Sequence, residues 1–241
     1  MCHWGGRRAG AGRKVGPKSR DPHRERPALA ARFPCHVTLK IRAGVPSLRS
    51  VQLVREFERS LRVACQRTGF RVVYYSLQPD HAHLIVEAGC KEDLARGMKS
   101  IGSRLARAVN RVFRRRGPVL SDRYHLHVLR TPREVRRAIA YVLLNARRHL
   151  AKLGRRPPAR SILDPASSGR WFDGWRAGMG RAHDPPAVAA PRTWLLAAGW
   201  RRHGLINPGE VPGTRRMRNA PGAQDGRPSL ICDDRDLRRY R

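Results

Sequence analysis

Between residues 36 and 153 the apolar residues change from strand spacing to helix spacing and back in a set order, and this order restricts the fold more than anything else in the chain. His36-Val37-Thr38-Leu39-Lys40-Ile41 alternates with period two and reads as a strand. Pro46 to Arg49 make a turn and Ser50 caps a helix over about 51–67, with Val54, Phe57, Leu61 and Ala64 at three- and four-residue steps and Gly69 ending it. Arg71 to Leu77 form a strand, Pro79-Asp80 break it, and His81 to Glu87 form the next, an antiparallel hairpin by its short connection. A second helix spans about 91–115 on Leu94, Met98, Ile101, Leu105, Val109 and Val112. A strand follows within 119–130. Thr131-Pro132-Arg133-Glu134 then open a third helix, with threonine at the cap, proline in the first turn and an acid at the positive end of the dipole, reaching about 153. The order β-α-β-β-α-β plus one helix predicts an α+β, ferredoxin-like antiparallel sheet with two helices on one face. The other face is left for the third helix or a ligand.

The flanks lack such periodicity. Residues 1–34, rich in Gly, Arg, Pro and Ala, read as a flexible basic arm, and residues 35–155 as the folded domain. Residues 156–241 read as a Pro/Gly/Arg-rich tail with short ordered pieces at Trp171–Trp175 and Trp194–Trp200. Gly5 to Lys14 superficially suggests a phosphate loop, but no strand precedes it and the Gly-Lys-Ser/Thr ending is missing. With 51 basic against 18 acidic residues the formal charge is +33, so nucleic acid is the expected partner. The five cysteines are scattered without a Cys-x-x-Cys pair, which indicates neither a zinc ribbon nor a disulfide framework. No signal peptide and no membrane span are expected, which predicts a reduced, cytoplasmic protein.

Three groups of residues can carry chemistry. His81 and His83 alternate with Ala82, Leu84 and Val86, so the two imidazoles share the open face of the sheet, a ready place for a divalent metal. Tyr141 lies off the helical stripe of Val135, Ile139, Val142, Ala146 and Leu150, with Asn145 one turn on and Arg137 and Arg148 flanking it. A metal held by neutral imidazoles polarises a phosphodiester, and a tyrosine oxygen can attack the phosphorus while the 3′-hydroxyl leaves. Asn145 can complete the metal site through its amide oxygen. His125-Leu126-His127 is a rival pair, also on one face of its strand, and His36 is a bystander in this reading. Arg104, Arg107, Arg111, Arg114, Arg115 and Arg116 offer phosphate contacts along and after the second helix. Trp171, Phe172, Trp175, Trp194 and Trp200 either stack on unpaired bases or pin the tail to the domain, and pinning is the commoner use.

His81-Ala82-His83, with Leu84-Ile85-Val86 behind it, resembles the HUH motif, and Tyr141-Val142-Leu143-Leu144-Asn145 resembles the Tyr-x-x-x-Asn/Gln helix of single-tyrosine HUH transposases. Pro118 to Tyr124 and the Thr131-Pro132-Arg133-Glu134 helix start are similar to the REP-associated branch of that family. The likeness covers about residues 33–155, and Ala82 is small for the middle position of the motif. The resemblance implies a catalytic third helix carrying Tyr141, with magnesium or manganese at His81, His83 and Asn145. It also implies a substrate of single-stranded or hairpin DNA, a bacterial, nucleoid-associated setting, and a possible homodimer in which the helix acts on its own or its partner's sheet. Two other classes fit the residues alone: a non-catalytic nucleic-acid-binding protein on this fold, and a metal-dependent nuclease that uses water.

Overall fold

The computed structural model describes residues 28–159, 162–176 and 182–213; most of the basic arm and residues 214–241 lie outside the described residues. Its elements are β1 (Cys35–Lys40), α1 (Val51–Ala64), β2 (Gln66–Arg67), β3 (Phe70–Leu77), β4 (His81–Ala88), α2 (Lys91–Val112), β5 (His125–Val128), α3 (Pro132–Leu143), α4 (Asn145–Lys152) and α5 (Trp194–Ala197). The five strands form one sheet in the order β2-β3-β4-β1-β5, antiparallel at every pairing. Each of the two crossovers, α1 and α2, joins strands that are not neighbours. β4 enters between β3 and β1, and β1 lies between β4 and β5.

Local chemistry accounts for most of the element ends. Ser50 accepts a hydrogen bond from the Leu53 amide at the start of α1. At α3 the Thr131 hydroxyl accepts from the Glu134 amide and the Glu134 carboxylate accepts from the Thr131 amide, with Pro132 in the first turn. The first helix is shorter than its periodicity suggests. It stops at Ala64, and Gln66–Arg67 pair with Phe70–Arg71 around a Thr68-Gly69 turn in which Gly69 has φ +73°. That glycine serves a tight hairpin rather than a helix end.

The two faces of the sheet differ. Val37, Leu39, Val72, Tyr75, Leu77, Ala82, Leu84 and Val86 face α1 and α2 in one large apolar core. On the other face Val73, Tyr74 and Ile85 meet α3 together with Phe172, Trp175, Leu195, Leu196, Trp200 and Ile206. The extra residue at Val73, a bulge in the β3–β4 ladder, puts two consecutive side chains on that second face.

The predicted third helix does not run unbroken to 153. Leu144 (φ −110°, ψ 17°) is outside helical geometry; its amide closes α3 on the Ala140 carbonyl, and its own carbonyl receives the Arg147 and Arg148 amides that start α4. Every residue from Ala138 to Asn145 is buried, because the sheet lies on one side of α3 and residues 172–206 on the other. A straight amphipathic helix has no such all-round burial.

The chain after α4 is built into this arrangement. The Arg147 guanidinium, itself buried, donates to the carbonyls of Pro158, Ala159 and Ile162. Arg49 holds Asp164 through two hydrogen bonds of 2.9 and 2.7 Å. Ser167 bridges to Ser76 beside β3, and Arg136 on α3 grips both oxygens of Glu210. Trp171, Phe172, Trp175 and Trp200 are buried as pins, whereas Trp194 is 52% exposed. No helix among the described residues is long and apolar enough to cross a membrane.

Candidate active site

The second face of the sheet carries polar groups where α3 crosses it. In the β1–β4 register Thr38 is opposite His83 and Lys40 opposite His81, while β5 puts His127 opposite His36 and His125 opposite Thr38. Strand alternation therefore collects His36, Thr38, His81, His83, His125 and His127 on one face. The His81 and His83 rings are 4.6 Å apart, and His36 lies 5.2 Å from His83. His149, from α4, sits 5.7 Å from His81.

Tyr141 closes this group from α3. Its ring meets His83 edge-on at 5.1 Å and His36 at 5.7 Å, and the Arg148 guanidinium lies 5.0 Å from its centroid. The tyrosine is 8% exposed. The helical-stripe reasoning correctly sets Tyr141 apart from Ile139 and Val142, but the side it faces is the histidine row and not solvent.

Hydrogen bonding distinguishes the two nitrogens of each ring. Nδ1 of His81 is 2.6 Å from Oδ1 of Asp80, and Nδ1 of His83 is 3.1 Å from the Thr38 hydroxyl and 3.2 Å from Nε2 of His36. Nε2 of His83 is buried with no hydrogen-bond partner, as are both amide atoms of Asn145, a fully buried residue. Burial lowers the pKa of His83 well below its ordinary value, helped by His36, His81, His149 and Arg148. Burial, then His127, His125 and His81, brings His36 down to about 3. The hydrogen bond to His81 pulls the Asp80 carboxyl below its usual range.

This donor set suits a divalent cation in one respect. Two neighbouring imidazoles have Nδ1 engaged, and Nε2 of His83 is left over, a pattern that orients metal-binding histidines. Among the described residues no group of three or more His, Cys, Asp and Glu side chains is arranged to hold an ion, and both amide atoms of the fully buried Asn145 lack a partner.

Residues 35–141 match the family model described as "Transposase IS200 like". That stretch, a little under half of the chain, is similar to the IS200-like transposases. The matched stretch begins at β1 and ends on Tyr141. Among solved structures, one described as a REP-associated tyrosine transposase bound to a REP hairpin is similar at 17% identity (TM-score 0.46, 61% of this chain and 82% of that one). A candidate transposase of Deinococcus radiodurans R1 is similar at 13% identity (TM-score 0.35, 58% of this chain and 100% of that one). No curated protein matches the chain.

The structure brings His81, His83, Tyr141 and Arg148 together. It keeps the second-helix arginines apart from them. Arg104, Arg107 and Arg111 line a cleft with Glu56 and Ser60 between α1 and α2, across the sheet from Tyr141, and Arg111 pairs with Glu56. Arg114 and Arg116 are exposed beyond the end of α2, and Arg115 is half-buried there. Arg137 is half-buried on α3, its pKa lowered by burial and by Arg133 and Arg136. His125 and His127 share the face of the cluster but sit on the edge strand; the contacts of Tyr141 are with the inner rings. The sequence reading missed His36, Thr38 and Asp80 as neighbours of the pair. The signal for the first two was present, since the alternation that sends Val37 and Leu39 into the core puts His36 and Thr38 beside His83. His149 had no such signal, because the break at Leu144 redirects α4.

Proposed function

We propose that this chain is a metal-dependent single-tyrosine DNA transposase acting on single-stranded or hairpin DNA, with Tyr141 as nucleophile and His81, His83 and Asn145 as ligands of Mg²⁺ or Mn²⁺. One observation carries the reading: a tyrosine ring packed edge-on against His83, whose Nε2 is buried without a partner. An unsatisfied polar atom in such a place costs about 1–3 kcal/mol and favours a bound group that uses it.

When bound, the cation would polarise the phosphodiester and offset the charge that grows on its oxygens. The chain's own residues supply the rest. Asp80 and Thr38 hold the two imidazoles by Nδ1, which fixes their rings and leaves Nε2 as the nitrogen to ligate. Burial keeps His83 neutral, as a ligand must be. The Tyr141 oxygen attacks the phosphorus as its proton is lost, a phosphotyrosine bond forms, and the bond to the 3′-oxygen breaks, releasing a 3′-hydroxyl once that oxygen is protonated. Arg148, its guanidinium 5.0 Å from the centroid of the tyrosine ring, contributes positive charge beside the nucleophile. The phosphotyrosine link conserves the energy of the broken bond, so the reverse attack by a 3′-hydroxyl rejoins a strand without ATP. Arg104, Arg107, Arg111, Arg114, Arg115, Arg116 and Arg137 contribute phosphate contacts away from the reacting bond.

The test is a covalent trap. Incubating the full chain with cleavable single-stranded DNA and Mn²⁺ should leave a 5′-phosphate attached to Tyr141, and Tyr141→Phe should bind DNA normally and form no adduct. Hydrolysis that survives Tyr141→Phe would point to a water-using nuclease. Binding with no cleavage by the unmodified chain would point to a non-catalytic DNA-binding protein.

A further inference from the structure

Trp194 is the one tryptophan among the described residues that is mostly exposed, and the fold holds its backbone firmly. The Glu87 carboxylate, itself buried, accepts hydrogen bonds from the Arg192 and Thr193 amides and from the Thr193 hydroxyl, at 2.7 to 3.0 Å. This charged anchor fixes the residue just before Trp194. Beneath the ring is Gly199, where a Cβ would lie 2.7 Å from the indole, so a bare Cα is needed for the ring to settle there. The Arg202 guanidinium lies 5.0 Å from the ring centroid, and Arg192, two residues before Trp194, is exposed as well. Leu195, Leu196 and Trp200 of the same segment are buried and supply its packing. Trp194 adds little to that core.

A rigid, half-open indole beside exposed guanidiniums is the equipment for stacking on an unpaired base while holding its phosphate. Glu87 is on the same face of β4 as His81 and His83, four residues from the His83 on which Tyr141 packs, which is about 13 Å at about 3.3 Å per residue. At about 3.4 Å per stacked nucleotide the two places are about four nucleotides apart on one strand. We propose that Trp194, with Arg192 and Arg202, is a second DNA contact on this face, a stacking platform for an unpaired base about four nucleotides from the bond joined to Tyr141. The distance rests on the transposase reading; the platform itself does not.

The experiment uses the full chain and measures affinity for single-stranded oligonucleotides and for a blunt duplex at several salt concentrations. Trp194→Ala should weaken binding of a long single strand about tenfold, within the lower half of the range for one base stacked on an aromatic ring. Trp194→Phe should recover most of that loss. The dependence on salt should be unchanged in Trp194→Ala and shallower by about one ion in Arg202→Ala. Affinity for the duplex, and adduct formation at Tyr141 on a strand too short to reach Trp194, should be untouched by Trp194→Ala. Unchanged single-strand affinity in Trp194→Ala, or an equal loss on duplex, overturns the platform even if Tyr141 proves to be the nucleophile. A tenfold loss on single strands by a chain that forms no adduct would uphold the platform and remove the transposase reading instead.

Discussion

The buried histidine pair makes the native protein sensitive to mild acid, and the size of the effect follows from His36. In the folded chain this imidazole has a pKa near 3, whereas an unfolded histidine takes up its proton near 6.5. The unfolded state therefore binds more protons between those values, so stability is complete above about pH 6.5 and is lost as the pH falls. Going from about pH 7.5 to about pH 5, the linkage for this one group integrates to about 2 kcal/mol. His36 is 3% exposed, so solvent screening removes little of that figure. The lowered pKa of His83 adds a loss of the same sign. Urea unfolding of metal-free protein in a chelator, followed across this pH range, should show stability falling by at least that amount. His36→Asn keeps a polar side chain that does not titrate in this range, and should remove about 2 kcal/mol from the pH-dependent part whatever it costs at neutral pH. A flat profile between pH 7.5 and pH 5, or the same slope in His36→Asn and the unmodified chain, would refute the claim that His36 is buried neutral.

Two further outcomes bear on the site and on the core. Asp80→Asn removes the carboxylate that orients His81 by Nδ1 and should weaken Mn²⁺ binding about 10- to 100-fold by calorimetry while leaving the thermal midpoint of the metal-free protein nearly unchanged. Gly97→Ala places a Cβ 2.2 to 2.5 Å from the Phe70 ring, between α2 and β3, and should cost about 1–3 kcal/mol in chemical denaturation despite the better helix propensity of alanine. A neutral or stabilising result there would mean that Phe70 has room to move aside.

Much of the fold can be read from residue pattern because its first two helices obey simple amphipathic rules. Val54, Phe57 and Leu61 on α1, and Leu94, Met98, Ile101 and Leu105 on α2, are buried on one side only, against a sheet whose strands alternate. Caps written in the sequence, Ser50 and Thr131-Pro132-Arg133-Glu134, are the caps observed. The predicted end of α1 differs for a local reason: a turn glycine and a C-terminal glycine look the same in sequence, and at Gly69 the hairpin to Phe70 uses it.

The candidate site was legible only in part, because helical periodicity assumes that one side of a helix faces water. α3 meets the sheet on one side and Trp175, Leu196, Trp200 and Ile206 on the other, residues that read from sequence as fragments of a tail. A helix buried all round gives no exposed face to find by spacing, so arithmetic on Tyr141 and Asn145 could show only that both avoid the apolar stripe. Burial changes what that avoidance means. An exposed tyrosine off the stripe needs no partner, whereas a buried one has to find polar company, and here the sheet supplies it from His36 and His83. The same argument applies to Asn145, whose amide has no partner at full burial. Tyr141, buried on α3 against two imidazoles, and Asn145, fully buried at the start of α4 with its amide unpaired, are polar groups that burial alone does not favour, four residues apart in the chain.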